Sequence, residues 1–155
     1  LDAFAVYGWL PNNFKWLMKK EIRKVPFVGT ACKVAGHIFV DRSNPRAALQ
    51  SMDLIKAELV DGISTVIFPE GTRTKTGEIG RFKQGAFKIA MDLNLPVVPI
   101  SLKGFHEAMP ARQLFVNPQS NTALHIGEPI DLSQFADINE AMTYVREKVE
   151  EGLKA

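Results

Sequence analysis

The sequence is poor in cysteine and has no long hydrophobic run. Cys32 is the only cysteine, which excludes an internal disulfide and is typical of a protein from a reducing compartment. A catalytic thiol is not expected, because the sequence around Cys32 offers nothing that would lower its pKa. No apolar stretch approaches the ~18 to 20 residues needed to span a bilayer, and no signal peptide is recognisable. We therefore expect no membrane-spanning segment in these residues.

A strong charge imbalance and the spacing of metal ligands are also missing. The formal net charge is only +2, which is too mild to indicate nucleic acid as a partner. Three scattered histidines and one cysteine lack the spacing of a metal site, so we expect no metal. The segment 71–77 lacks the Gly-Lys-Ser/Thr step of a phosphate-binding loop. These absences argue against nucleic-acid-binding proteins, metalloenzymes and nucleotide-binding proteins of that type.

The length and the composition are those of one globular domain. The chain has 155 residues, of which 46% are apolar and 23% charged, and this is enough for a single packed core. It opens at Leu1 without a methionine and already inside an apolar pattern. We therefore expect that upstream sequence belongs with residues 1–155 and could carry a membrane anchor.

Strand-like and helix-like patterns alternate along the chain. Strands separated by helices need crossover connections, so we predict an α/β fold: a single domain with a mostly parallel or mixed sheet flanked by helices. Residues 105–121 are predicted to be a long irregular excursion. The predicted strands are 36–41, 64–68, 97–102 and 122–126, and the predicted helices are 44–62, 85–93 and one that a capping box of Asp137 and Glu140 opens.

Residues 14–25 are predicted to form an amphipathic helix with a basic face. Lys15, Lys19 and Arg23 recur at a spacing of four residues, opposite apolar positions. Basic side chains attract anionic headgroups, and aromatic side chains rest at the headgroup level. This face is therefore predicted to lie on a membrane, and a solvated helix face is the alternative. The other residues of the predicted surface are Lys20, Lys24, Trp9, Leu10, Phe14 and Trp16.

The hexapeptide Phe68-Pro69-Glu70-Gly71-Thr72-Arg73 follows a predicted buried strand. Open α/β sheets bind ligands at such strand ends. Gly71 would let backbone N–H groups approach a ligand, Thr72 adds a hydroxyl, and Arg73 offers a planar fork matched to phosphate. Glu70 would orient such an arginine or accept a hydrogen bond from a substrate hydroxyl. A surface turn with an ordinary Glu–Arg pair is the alternative.

A second strand end, that of residues 36–42, also closes with a carboxylate and a guanidinium, Asp41 and Arg42. By itself this pair is more often a local ion pair than a site. In combination, however, the motifs resemble those of the lysophosphatidic acid acyltransferases (1-acyl-sn-glycerol-3-phosphate acyltransferases), within the glycerolipid acyltransferase superfamily. Residues 68–73 match the third family motif without departure, and residues 36–42 match the second with Val40 in place of isoleucine. The fourth motif corresponds to Val98, Pro99 and Ile100.

The first family motif, His-x-x-x-x-Asp, is represented only by Asp2. The resemblance places its histidine four residues before Leu1, so that the fragment starts inside this motif. By sequence position, no histidine of the chain replaces it; the three are His37, His106 and His125. The resemblance therefore implies that residues 1–155 are an acyltransferase catalytic core without its N-terminal segment, inactive as they stand. Without the motif context, a helix cap would be the favoured role of Asp2.

The resemblance also implies an O-acyltransferase. In the family, the histidine acts as general base toward the sn-2 hydroxyl of lysophosphatidate, which attacks the thioester of acyl-CoA or acyl-acyl carrier protein and gives phosphatidate. The acyl donor is a co-substrate, and no cofactor is implied. The residue roles that follow are catalysis by Asp2 and Glu70, substrate binding by Arg42, Gly71, Thr72, Arg73 and Lys20, and an acyl path along Val98, Pro99 and Ile100.

Two alternatives to this function stay open. The acceptor could be glycerol-3-phosphate or another lysophospholipid, or the chain could be a phosphate- or lipid-binding module without turnover. The resemblance implies a place in phospholipid biosynthesis and a membrane-associated location on the cytoplasmic face. The expected partners are the phosphate-bearing glycerolipid, the acyl donor and the membrane surface.

Overall fold

The structure is a computed structural model, and its described residues group into two compact units. One unit is Asn12–Ile67, and the other combines Leu1–Pro11 with Phe68–Ala155. The described residues are 2–10, 13–41, 54–55, 57–59, 62–71, 74, 76–109, 117 and 119–155, with only the backbone of 2–5. In chain order the elements are α1 Asp2–Trp9, β1 Phe14–Lys19, a 3-10 helix Lys20–Lys24, α2 Val28–Val34, β2 Ile38–Val40, β3 Ser64–Val66, α3 Gln84–Asp92, β4 Ile100–Lys103, α4 Phe105–Ala108, β5 Ala123–Ile126, a 3-10 helix Leu132–Gln134 and α5 Ile138–Lys154.

The unit Asn12–Ile67 contains a three-stranded parallel sheet with the order β2-β1-β3. Strand β1 is central: its Leu17 lies opposite Ile38 of β2, and its Phe14 lies opposite Ser64 of β3. The first 3-10 helix and α2 connect β1 to β2. A parallel pair needs such a crossover, because the chain must return to the same end of the sheet before the next strand begins.

The helix predicted for residues 14–25 is wrong, since this segment is β1 followed by a 3-10 helix. Phe14 and Trp16 are 8% and 4% exposed, and Lys15 between them is less buried, which is the alternation of a strand. The Phe14 and Trp16 rings also pack edge to face, with centroids 5.7 Å apart. As the central strand, β1 forms backbone hydrogen bonds to β2 and to β3. These bonds favour a strand, although the local pattern of apolar residues fits the period of a helix as well as that of a strand.

The other strands and the helix predicted for this unit agree with the structure to different extents. The strand predicted for 36–41 is confirmed as β2, whereas α2 was not predicted. The strand predicted for 64–68 is shortened to β3 and is not buried, because Ser64 is exposed and Thr65 and Val66 are half-buried. Of the helix predicted for 44–62, residues 54–55 and 57–58 are helical, and most of the others lie outside the described residues.

The unit with Phe68–Ala155 joins an antiparallel strand pair to helices. Strand β4 pairs with β5, from Ile100 opposite Ile126 to Lys103 opposite Ala123. The predictions for 85–93 and 122–126 are confirmed as α3 and β5, and that for 97–102 becomes an isolated bridge followed by β4. Inside the predicted excursion 105–121, α4 forms, and residues 110–116 and 118 lie outside the description. The core residues are Phe82, Phe87, Ala90, Ile130, Leu132, Ala141 and Val145.

The predicted capping box opens α5. The Asp137 carboxylate accepts hydrogen bonds from the backbone N–H groups of Asn139 and Glu140 at 2.7 and 3.0 Å. The Glu140 carboxylate reaches back to the N–H of Ala136 at 2.8 Å. These bonds satisfy N–H groups that have no partner inside the helix, so the start of α5 is fixed locally.

Parallel strands, helices and an antiparallel pair together give the predicted α/β class. The single boundary of a catalytic core at 1–155 stays a prediction. In the part of the chain that the structure describes, we find no helix whose length and apolar character suffice to cross a membrane.

Candidate active site

The third motif folds as a tight turn directly after the strand region. The Gly71 N–H donates to the carbonyl oxygen of Phe68 at 3.1 Å, and Gly71 has a φ of 72°. Side chains rarely tolerate this left-handed conformation, so the turn requires glycine. Thr72 and Arg73, the predicted hydroxyl and phosphate fork, lie outside the described residues, and their roles stay predictions.

Lys83 is a cation beside this turn that sequence reasoning missed. A Cβ atom built on Gly71 would come within 2.8 Å of the Lys83 Nζ, and the Lys83 N–H donates to the carbonyl oxygen of Pro69 at 2.9 Å. Lys83 is exposed. The absence of a side chain at Gly71 therefore lets an ammonium group approach the motif backbone. No sequence pattern signals this contact, because Lys83 lies beyond the motif.

The carboxylate of Glu70 is anchored by a backbone group. Its Oε2 accepts a hydrogen bond from the Gly80 N–H at 2.6 Å, and the side chain is half-buried. A Cβ on Gly80 would lie 2.6 Å from the same oxygen, so glycine also makes room for the carboxylate. A hydrogen bond to a charged acceptor is among the stronger ones in proteins. Glu70, a predicted catalytic residue, is thus held in one orientation.

Arg146 of α5 binds the loop that anchors Glu70, and it too was missed. Its guanidinium donates to the carbonyl oxygens of Gly80 and Ile79 at 2.8 and 3.0 Å, and to the Glu150 carboxylate at 2.8 Å. It also lies 5.9 Å from the centre of the Phe82 ring. In the sequence, Arg146 and Glu150 resemble an ordinary helical i,i+4 ion pair. That pattern gives no sign of the loop contacts.

In the second motif, Asp41 forms an ion pair with Lys20. The Lys20 Nζ donates to the Asp41 carboxylate at 3.0 Å, in a pair whose side chains are 61% and 27% exposed. Exposed pairs of this kind contribute only about 0–1 kcal/mol, so the contact orients Lys20 more than it stabilises the fold. Arg42 lies outside the described residues. The substrate-binding roles of Lys20 and Arg42 stay predictions.

The His37 side chain has a structural role, as a hydrogen-bond acceptor for the backbone of β1. Its Nδ1 accepts a hydrogen bond from the Trp16 N–H at 3.3 Å. Burial, and secondly the positive charge of Lys15, lower the pKa of His37 from its usual value. The other histidines, His106 and His125, lie in α4 and β5, so His106 is helical although residues 105–121 were predicted to be irregular. Among the described side chains, no group of three or more His, Cys, Asp or Glu could hold a metal ion.

The first and fourth motifs are placed in part. Asp2 is the first residue of α1, and its side chain lies outside what the structure describes. Val98 is 41% exposed, Pro99 is buried and Ile100 begins β4. A cavity of about 470 Å³ borders Pro99, but neither Glu70 nor Gly71 lines it. The acyl path along these three residues stays a prediction.

Comparison with known proteins decides the family. Residues 1–103 match the family model described as Acyltransferase. The chain belongs to this acyltransferase family. Among its relatives, a Cocos nucifera protein named 1-acyl-sn-glycerol-3-phosphate acyltransferase is 40% identical over 119 residues, which are 76% of this chain and 39% of the relative. The Arabidopsis thaliana protein named 1-acyl-sn-glycerol-3-phosphate acyltransferase LPAT1, chloroplastic, is 34% identical over 152 residues, which are 97% of this chain and 42% of that relative.

A solved structure shows the same fold for this acyltransferase-family chain. The crystal structure of the 1-acyl-sn-glycerophosphate (LPA) acyltransferase PlsC from Thermotoga maritima has a TM-score of 0.81 and 27% sequence identity. The match covers 99% of this chain and 60% of that one. The α/β fold and the family resemblance predicted from the motifs are thereby confirmed. The chain spans only about two fifths of the length of these plant relatives.

Proposed function

We propose that this chain is the core of an O-acyltransferase that acylates the sn-2 hydroxyl of lysophosphatidate with acyl-CoA or acyl-acyl carrier protein and so forms phosphatidate. The observation that carries the proposal is the intact third motif, with its glycine turn and its anchored Glu70 carboxylate. Relatives from plants and a bacterium that are named for this reaction support it. The reaction is a step of phospholipid biosynthesis.

The chemistry needs a base for the hydroxyl and a cradle for the phosphate. A hydroxyl is a poor nucleophile until a base removes its proton, and in this proposal Asp2 orients the histidine of the first motif. The Arg73 and Arg42 guanidinium groups hold the phosphate, because their paired N–H groups match two of its oxygens. Lys83 adds positive charge next to Gly71. With the phosphate fixed, the attacking hydroxyl is delivered to one position.

The Glu70 carboxylate completes this arrangement. Its anchored Oε2 orients the side chain, so that the group accepts a hydrogen bond from the bound glycerol or aligns Arg73. The acyl donor is a co-substrate, and the reaction needs no cofactor. The acceptor is a lipid, so the proposed location is a membrane surface, on the cytoplasmic face.

An acyl-transfer assay tests the function on an enzyme that comprises this chain and an N-terminal segment carrying the first-motif histidine. Lysophosphatidate, glycerol-3-phosphate and lysophosphatidylcholine are offered with labelled acyl-CoA or acyl-acyl carrier protein. We expect phosphatidate from lysophosphatidate at the highest kcat/KM. Preference for glycerol-3-phosphate would reassign the acceptor, and phosphate-dependent binding with no transfer would favour a binding module.

Replacement of Arg73 tests the phosphate cradle. Because a lysine ammonium cannot form two parallel bonds to one phosphate, Arg73→Lys should lower kcat/KM for lysophosphatidate by about 10- to 100-fold. The matched control is Arg81→Lys, at an exposed arginine of the following loop. Equal kinetics in wild type and Arg73→Lys would remove Arg73 from the site.

A further inference from the structure

An exposed apolar cluster lies between the first 3-10 helix and the end of α2. Phe27 and Val34 are 90% and 83% exposed, and Val28 and Val25 are 49% and 45% exposed. We call these four residues the Phe27 cluster. Single exposed apolar side chains are ordinary on protein surfaces, but four of them within ten consecutive residues indicate a contact surface.

The backbone holds the Phe27 cluster away from the unit's own interior. Gly29 is buried, and a Cβ at this position would overlap the carbonyl of Arg23, so α2 already packs against the 3-10 helix without space for more side chains. Phe27 itself has a φ of 61°, a conformation that a bulky residue rarely adopts. Strain of this kind persists only where the surrounding structure enforces it, and it clusters at functional sites.

The same segment is strongly basic. Residues 19–34 contain five basic residues and one acidic residue, Glu21. Lys20 is bound to Asp41, whereas Lys24 and Lys33 flank the apolar cluster and are exposed. A second copy of this surface would meet like charge, so self-association is disfavoured. A layer of anionic headgroups over hydrocarbon complements both features.

We propose that the Phe27 cluster is a docking surface that inserts into the interface of an anionic phospholipid bilayer. The inference rests on the proposed function in that a lipid acceptor must be reached at a membrane. It revises the surface predicted from the sequence: Phe14 and Trp16 are buried, and Lys15 donates to the carbonyl oxygen of Ala35 at 3.2 Å, whereas Lys24 of that surface flanks the Phe27 cluster. The membrane contact therefore moves from β1 to the Phe27 cluster.

Vesicle sedimentation of the 155-residue chain tests the docking surface without any turnover. Vesicles of phosphatidylcholine alone are compared with vesicles that also contain phosphatidylglycerol. We expect binding to the anionic vesicles, weakened by salt. The variant Phe27→Ser should reduce the partition coefficient about tenfold, because its ring no longer leaves water. The matched control is Leu54→Ser, another exposed apolar residue of the same unit, which should bind like wild type.

Several outcomes would overturn the docking surface. They are an unchanged partition in Phe27→Ser, an equal loss in Leu54→Ser, and equal binding to neutral and anionic vesicles. Dimerisation that Phe27→Ser abolishes, without vesicle binding, would assign the cluster to a second copy of the chain. A chain that binds vesicles through Phe27 while the enzyme transfers no acyl group would contradict the proposed function alone.

A second inference comes from independent contacts: we infer that Arg146 is a positioning residue for Glu70. Arg146 binds the carbonyl oxygen of Ile79, and the N–H of Gly80 that belongs to the same peptide group binds Glu70. A peptide group is planar, so holding its carbonyl fixes the direction of its N–H. A cation on the carbonyl also polarises the group and strengthens the N–H as a donor. Arg146 lies beyond residues 1–103, which carry the family match.

Amide hydrogen exchange and kinetics together test this second inference, which rests on the proposed role of Glu70. In Arg146→Met, the Gly80 amide should exchange faster and kcat should fall while KM for the acyl donor stays near wild type; Arg146→Lys should restore part of both. The matched control is Glu150→Gln, which leaves the two carbonyl bonds in place and should keep kcat. Unchanged exchange at Gly80 in Arg146→Met would overturn the inference. If Gly80 exchanges faster in Arg146→Met but the wild-type enzyme transfers no acyl group, the positioning role of Arg146 stands and the proposed function is contradicted.

Discussion

At the scale of single residues, the orientation of Glu70 comes from a residue ten positions along the chain. Its Oε2 lies 2.6 Å from the Gly80 N–H, and the motif glycine, Gly71, brings Lys83 to the same turn. The hexapeptide thus supplies functional groups, and residues outside it supply their orientation. Catalytic groups need such support, because a misplacement of about 1 Å can cost about 100-fold in rate.

Replacing Glu70 by glutamine separates charge from geometry. A glutamine oxygen still accepts from the Gly80 N–H, so Glu70→Gln should keep its melting temperature while kcat/KM falls by about 10- to 100-fold. Initial rates and thermal unfolding check this, with the exposed Glu78→Gln as control. A parallel loss of melting temperature and activity would show that Glu70 acts on the fold instead.

The pKa of His37 predicts how stability depends on pH. Burial and Lys15 lower this pKa below 6.5 in the folded state, so folding favours the neutral imidazole, whose Nδ1 accepts from Trp16. The contribution is fully present above pH 6.5 and is lost as pH falls toward the folded pKa. Chemical unfolding on both sides of pH 6.5 should show this decline, and His37→Asn, which keeps an acceptor without titrating, should reduce it. An identical pH profile in this variant would contradict the assignment.

At the scale of elements, α5 approaches β4 and β5 very closely at Gly152. The buried Ser101 hydroxyl donates to the carbonyl oxygen of Val149 at 2.7 Å. A Cβ on Gly152 would come within 2.5 Å of the Ser101 Oγ and 2.8 Å of the His125 Cδ2. Glycine costs a helix roughly 1 kcal/mol relative to alanine, so here the close packing outweighs helix propensity.

Exchanging glycine for alanine in two helices tests this packing. Gly152→Ala should lower the free energy of unfolding by about 1–3 kcal/mol, because the methyl group overpacks the contact. Gly85→Ala in α3 is the control: nothing lies within 4 Å of its Cβ, so it should be neutral or stabilising by up to about 1 kcal/mol. Denaturant unfolding measures both. Stabilisation by Gly152→Ala would show that α5 can move away from the strands.

At the scale of the whole molecule, the chain carries the second, third and fourth motifs and the aspartate of the first. None of His37, His106 and His125 takes the position of the first-motif histidine in the sequence. We therefore expect residues 1–155 to fold and to transfer no acyl group, since loss of a general base removes about 10² to 10⁴ in rate.

Three proteins decide this expectation: the bare chain, the chain extended at its N-terminus by a segment that carries the first-motif histidine, and the latter with that histidine replaced by alanine. Circular dichroism establishes folding, and transfer to lysophosphatidate measures activity. Only the second protein should be active. Robust turnover by the bare chain would place the base within these residues, and His37 would be the next position to replace.

By itself, the sequence determined features that depend on neighbouring residues. The hexapeptide, the capping box at Asp137, the strand β2 and the helix α3 were predictable because each rests on a contiguous motif, on bonds within one turn or on a short periodic pattern. The family followed from motif order in the same way. The roles of Thr72, Arg73 and Arg42 stay predictions.

Only the tertiary structure decided the features that depend on distant contacts. Residues 14–19 form a strand because two neighbouring strands bind them, although their local pattern fits a helix. Arg146 reaches Gly80 across 66 residues, and Lys83 meets the turn at Gly71. The exposure of Phe27 likewise depends on how α2 packs against the 3-10 helix. The periodicity of a sequence indicates which face of a helix or strand is apolar. The partner that this face contacts, or that a polar side chain binds, is set by the packing of elements far apart in the chain.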